Sequence, residues 1–385
     1  MEKTWRWFGK KDRITLQMLR QIGVEGIVTA LHDVPNGEVW TSEAIHDLKT
    51  YIEDAGLRWS VVESLPVSEA IKYGGDERDR LIDNYIVSLG NLGKAGVKTV
   101  CYNFMPVIDW IRTDLNYKLA DGSTTLFFDK EKFAYFDVFI LKRKNAGKDY
   151  SKAELDRLGE LDRSITEAEK ERLIDTVIVK TQGFINGNIK EGDRNPVAIF
   201  NRLLSLYDGT GKDRLREHLR YFLTRIMPVC EEYGINMCIH PDDPPRQMLG
   251  LPRIVTDTED IQWILDAVDN PHNGLTFCAG SLSSGAQNDV PAMARRFAGR
   301  TRFVHLRSAD ILPNGDFIEA PHLEGRGRLI ELVRIFEKED PLLPMRVDHG
   351  RLMLDDADKG YNPGYSFHGR MYALAQIDGV MAAVK

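Results

Sequence analysis

The feature that most narrows the folds open to this chain is a regular alternation of short apolar runs with longer amphipathic stretches. The first half holds runs at 5–9 (WRWFG), 24–31 (VEGIVTAL), 57–64 (LRWSVVES) and 97–104 (VKTVCYNF). The second half holds INMCIHPDDP, GLTFCAG, RFVHLRS and PMRVDHG. Helical spacing separates them: Ile14, Met18 and Ile22 share one face, and a helix starts at Thr41 or Ser42 and stops at Gly56. A longer helix over 76–95 ends at Gly96, and the last runs over about 366–384. Strands alternating with helices predict a parallel sheet. Eight such units favour a (β/α)8 TIM barrel over an open doubly wound sheet, and no Gly-rich dinucleotide fingerprint follows the first run.

The regular alternation fails at about 112–200, a charged stretch with helical spacing at 151–161 and 166–179. Ser151 with Glu154, and Thr166 with Glu169, fit capping boxes. The expected organisation is one barrel domain over 1–385 with a mostly helical insertion at about 112–200, after strand four. Because that loop leaves the catalytic face of a barrel, two readings stay open: a solvated decoration, or a lid or oligomer contact. A homodimer is compatible with the second.

The four later runs each deliver a metal-type ligand at their downstream end: His240, Cys278, His305 and the pair Asp348–His349. In a parallel barrel these ends converge on one face. Two imidazoles, one thiolate and one carboxylate suit Zn²⁺, Fe²⁺ or Mn²⁺ better than Mg²⁺ or Ca²⁺, which prefer oxygen shells. A buried cysteine alone is more often a small core residue, so the coincidence of four strand ends carries the reading. Successive strand side chains face opposite ways. Asp348 and His349 therefore share a site only if the chain has begun to turn, which Gly350 permits. One of the pair is then a ligand and the other a proton carrier.

Composition excludes several classes. The net charge of −7 with mixed signs lacks the basic stripe of a nucleic-acid binder. No apolar run is long enough to span a membrane, and the charged start, MEKTWRWFGKKDR, has no signal core. Four scattered cysteines make no disulfide framework and fit a reduced, cytoplasmic setting. Cys101 and Cys230 read as core, and Cys238 as a second-choice ligand. Trp5 and Trp7 read as packing residues. The phosphate-loop echo at Gly209–Lys212 lacks the needed hydroxyl and spacing.

Several blocks together resemble the mannonate dehydratase family: WRWFG, YNFMPVIDWIRTDL at 102–115, IHPDDPPRQMLGLPRIV at 239–255, FVHLRS, DHG and NPGYS at 362–366. Val347 departs from a proline common there. The resemblance implies a barrel of the xylose-isomerase-like kind. It implies conversion of D-mannonate, a sugar acid, to 2-dehydro-3-deoxy-D-gluconate with loss of water, in hexuronate breakdown, with Mn²⁺ or Fe²⁺. Its ligands fall on His240, Cys278, His305 and Asp348, and its acid–base residues on His349 and Tyr365.

The reaction needs a base for the C2 proton and an acid for the C3 hydroxyl. His349 suits the acid and Tyr365 the base, with the reverse assignment also open. Arg307, two residues past His305, and Arg246, in the loop after His240, are candidates for the substrate carboxylate, and Asn103 for a sugar hydroxyl. Asp242 and Asp243 read as turn caps or as supports of the metal site. Rival readings are a sugar isomerase or epimerase on the same barrel, a DNA-repair phosphodiesterase, and a non-catalytic sugar-acid-binding barrel. One carboxylate among four ligands argues against the first, and the negative charge against the second.

Overall fold

Eight parallel strands close on themselves in the computed structural model, which describes residues 1–182, 189 and 192–384. In chain order the strands are β1 (Glu2–Arg6), β2 (Gly26–Thr29), β3 (Arg58–Glu63), β4 (Thr99–Tyr102), β5 (Asp114–Lys118) and β6 (Thr124–Phe128). They continue with β7 (Asn236–Ile239), β8 (Asn273–Cys278), β9 (Thr301–His305), β10 (Ser308–Ile311), β11 (Phe317–Ala320) and β12 (Pro344–Arg346). The barrel order is β1-β12-β9-β8-β7-β4-β3-β2. Closure comes from β1 beside β12, with Glu2 opposite Pro344 and Lys3 opposite Met345.

The helix Ser42–Asp54 shows why the outer layer forms. Thr41 accepts the Ala44 N–H at its start, and Ile45, Leu48 and Ile52 bury one face against the barrel core. The helices Arg78–Lys94 and Phe367–Val384 match the spacing in the sequence. Inside the barrel, Val28, Val61, Cys101 and Phe303 come from four different strands and form their own apolar cluster. The Phe303 ring meets His305 edge-on at 4.6 Å, so this plug lies against the residues at the strand ends.

The first strand begins earlier than its apolar run. Alternation hid it: Thr4 is buried with its hydroxyl donating to the Met345 carbonyl, while Glu2 reaches Arg58 and Ser60. Trp7 lies just beyond the strand and packs, its indole N–H donating to the Ile14 carbonyl.

The stretch expected to be mostly helical opens with two strands, β5 and β6. They join β10 and β11, from the loop after β9, in an antiparallel sheet of order β10-β11-β6-β5. TTLFF, which becomes β6, carries the β-branched and aromatic residues of a strand, a signal masked by the charged residues around it. Helices follow at Lys130–Tyr135, Lys152–Ser164, Glu167–Ile174 and Pro196–Ser205, and π-helical turns extend the first and third. Ser151 and Thr166 both close reciprocal capping boxes. Residues 183–188, 190 and 191 of this stretch lie outside the described residues. No described helix is long and apolar enough to cross a membrane.

Candidate metal and proton-transfer site

The barrel topology delivers three soft or borderline donors to one point. His240 follows β7 directly, Cys278 ends β8 and His305 ends β9. One ligand atom from each lies within 4.8 Å of the other two. His240 Nε2 and His305 Nδ1 are 3.2 Å apart. His240 Nδ1 lies 2.7 Å from the Pro241 carbonyl oxygen, so it carries the proton and leaves the Nε2 lone pair facing the group. Burial pushes the Cys278 thiol up, but His240 and Arg307 outweigh it and leave the thiol below its ordinary value. Burial lowers His240, yet the neighbouring Cys278, Glu63 and Asp109 charges raise it to about 9.

Asp348 stands at the rim of this group. Its Oδ2 is 3.7 Å from Cys278 Sγ and 3.9 Å from His305 Nδ1. Arg307 Nε donates to the same oxygen at 2.8 Å, and Arg346 Nη1 donates to Oδ1. The turn that brings Asp348 and His349 to one place is made by Asp348 itself, whose φ is 59°. Gly350 serves a different need: a Cβ there would sit 2.7 Å from the Arg370 backbone nitrogen of the final helix. The sequence placed the turn at Gly350, two residues too late.

His349 and Tyr365 are neighbours, their rings edge-to-face with centroids 5.1 Å apart. His349 Nδ1 lies 2.8 Å and 3.1 Å from the two Glu319 oxygens, and Nε2 lies 3.8 Å from Asp348 Oδ1. The Trp110 ring covers the imidazole at 5.2 Å. Burial pushes the Tyr365 phenol well up from its ordinary value; Arg346 opposes this, and Asp348 and Glu63 add to it.

The arginine candidates separate. Arg307 lines the pocket, but its Nε, Nη1 and Nη2 donate to Asp348, Glu319 and Asp243 respectively. Arg246 lies apart from the lining, its guanidinium over Phe128 at 5.1 Å and near Phe317 at 5.8 Å. Asn103 lines the pocket, and its Nδ2 donates to Asp109 Oδ2 at 2.6 Å. Asp242 accepts from the backbone of Ile254 and Val255 and from Arg253, not from the turn that follows it, whereas Asp243 ties Arg112 to Arg307. Cys238 keeps to its own strand, its thiol donating to the Asn236 carbonyl at 3.4 Å.

Several residues of the site escaped the sequence reading. Arg6 ends β1, Glu63 ends β3 and Arg346 ends β12, and all three line the same pocket. The strand-end rule that picked out His240, Cys278 and His305 would have found them. Glu319 and Arg112 had no such signal. Arg112 is fully buried just before β5, and it donates to Asp243 at 2.9 Å and to Glu319 at 2.6 Å.

Comparison with known proteins adds an independent line. The family model described as D-mannonate dehydratase (UxuA) matches residues 1–385. A mannonate dehydratase of Chromohalobacter salexigens is 44% identical over 394 residues, covering 100% of this chain and 99% of the relative. One from Marinomonas sp. is 45% identical over 395 residues, with the same shares covered. The crystal structure of mannonate dehydratase from Streptococcus suis serotype 2 superposes with a TM-score of 0.79 at 35% identity, covering 100% of this chain and 95% of that one.

Proposed function

The chain belongs to the D-mannonate dehydratase family, a hydro-lyase family acting on D-mannonate, and from that premise we propose how its own residues carry out the dehydration. The observation that carries the reading is the convergence of His240, Cys278 and His305 beside two proton carriers in one pocket.

The donor set fits a divalent first-row ion, Mn²⁺ or Fe²⁺. His240 Nε2, Cys278 Sγ and His305 Nδ1 would hold it, with Asp348 as the fourth ligand. An ionised carboxylate has about four acceptor positions, so Asp348 can keep its two arginines and still ligate. When bound, the ion supplies Lewis-acid stabilisation of negative charge on the substrate.

The remaining chemistry is assigned to the chain. Glu319 accepts the Nδ1 proton of His349, which leaves Nε2 as the basic nitrogen on the side of Asp348. A carboxylate behind an imidazole also stabilises the imidazolium formed on proton uptake. We therefore assign removal of the C2 proton to His349. Tyr365, a buried neutral phenol, donates its proton to the C3 hydroxyl as the C3–O bond breaks and water leaves. The enol so formed ketonises to 2-dehydro-3-deoxy-D-gluconate. This reverses the assignment favoured by the sequence alone, and the Glu319–His349 pair is the reason.

The activity is tested with purified protein, Mn²⁺ or Fe²⁺, a panel of aldonates and detection of a 2-keto-3-deoxy product. D-Mannonate should be consumed, and no product with either metal would sink the reading. The proton assignment is tested by following exchange of the C2 hydrogen into solvent. Tyr365→Phe should keep exchange while dehydration falls, and His349→Asn should lose both. The opposite pattern would exchange the two roles.

A further inference from the structure

The pocket has two unlike walls. On the side of β9 and β12 the charged groups are saturated: each nitrogen of Arg307 and Arg346 donates to a carboxylate or an imidazole. On the side of β1 and β3 they are not. Arg6 Nη1 is buried and donates no hydrogen bond, and Glu63 Oε2 is buried and accepts none. The two atoms lie 3.8 Å apart, beyond direct bonding distance, and both residues line the pocket. The other Glu63 oxygen accepts from Arg346 Nη2 at 2.8 Å, which fixes the carboxylate in place. The Arg6 guanidinium is fixed in turn over the Phe8 ring at 5.3 Å.

A buried donor and a buried acceptor, held close but unbonded, form a matched pair for a third group. That group must accept from Arg6 and donate to Glu63. A hydroxyl does both; a carboxylate would accept from Arg6 but meet the like charge of Glu63. In barrel order β1 and β3 flank β2, and β2 stands opposite β8, which carries Cys278. The pair therefore comes from the wall opposite the thiolate, and Glu63 Oε1 lies 3.5 Å from His305 Nε2, so the gap between Arg6 and Glu63 adjoins the donor group.

We propose that Arg6 and Glu63 form a hydroxyl subsite that reads one hydroxyl of the sugar acid other than the one lost. The proposal rests on the functional reading above and adds a determinant of substrate choice. A site built to bond a hydroxyl discriminates strongly against the analogue that lacks it, because its own polar groups are then left unpaired.

The test combines substrate and protein changes: D-mannonate and its 4-, 5- and 6-deoxy analogues against the wild-type enzyme, Arg6→Met and Arg6→Lys. Wild-type kcat/KM should fall about 10- to 100-fold on one deoxy analogue, as for loss of a hydrogen bond to a charged group. Arg6→Met should lose a similar factor on D-mannonate and lose nothing further on that analogue. Independent, multiplying losses on every analogue would overturn the proposal, as would a wild-type enzyme indifferent to all three. If Arg6→Met does not fold, Arg6→Lys decides by the same criterion, its penalty confined to substrates bearing the read hydroxyl. Protection against thermal unfolding by D-mannonate and its analogues reads the subsite without turnover. A protein that is protected selectively but forms no product would retain the subsite and refute the dehydratase reading instead.

Discussion

The barrel rim and the accessory sheet contribute to one pocket by different physical means. The rim supplies reactive atoms through topology: each parallel strand ends on the same face, so His240, Cys278 and His305 meet with little help from the loops. The sheet β10-β11-β6-β5 supplies no metal donor. Its Glu319 fixes the His349 tautomer, and Arg112, just ahead of β5, clamps Glu319 to Asp243. On the proposed roles, the rim sets what the site can bind, and the sheet sets which way His349 faces.

If that division holds, damage to the two regions will separate. The largest effect should come from the rim. Cys278→Ala should abolish stoichiometric metal binding, measured by metal analysis of the purified protein, and turnover with it. Full metal content in that variant would refute the donor assignment. Next is Arg112→Met, which leaves Asp243 and Glu319 with Arg307 as their one shared buried arginine. Removing one member of a buried ionic network costs about 3–5 kcal/mol, to be read from denaturant unfolding. A loss near zero would mean that Arg307 alone holds both carboxylates.

Glu319→Gln probes the sheet at its closest approach to the chemistry. Turnover should fall about 100-fold, within the range of a positioned acid–base group, while metal content stays unchanged. A parallel loss of metal would erase the distinction between rim and sheet. The smallest effect is reserved for the outermost part of the insertion. Ser151→Ala opens the capping box of the helix Lys152–Ser164 and should cost about 1 kcal/mol. Its kcat/KM should match the wild type, and a clear drop would tie that helix to the pocket.

The same contrast explains what could be read from the sequence. The barrel was legible because strand-and-helix alternation is a local signal repeated eight times, and its donors fall at positions fixed by that repeat. Arg6 and Glu63 occupy the same kind of position at the ends of β1 and β3. Arg6 was passed over because it is no metal ligand, and Glu63 because ligands were sought only at the ends of the four later runs. Asp348 was found, but its φ of 59° was not, since Asp enters the left-handed region only when the surroundings ask for it. Glu319 stood out least. It lies on a four-residue strand, and its meaning comes from pairing with distant segments: Phe317 opposite Phe128 and Ile318 opposite Phe127. Pattern within a window cannot register a partner so far away. The roles of Arg307 and Arg246 failed to separate for a similar reason, since saturation by carboxylates is a property of the folded neighbourhood.

The pairing of β6 with β11 also bears on how the enzyme comes into being. The Thr125 hydroxyl donates to the Glu319 carbonyl across 194 positions of sequence, whereas His240 and His305 of the donor group are 65 positions apart. Contacts of long sequence separation form late, because chain closure must precede their reward. During refolding the donor triad should therefore assemble before Arg112 reaches Glu319 across 207 positions. For that interval the chain would be able to hold a cation while the carboxylate behind His349 still lacks one of its two arginines.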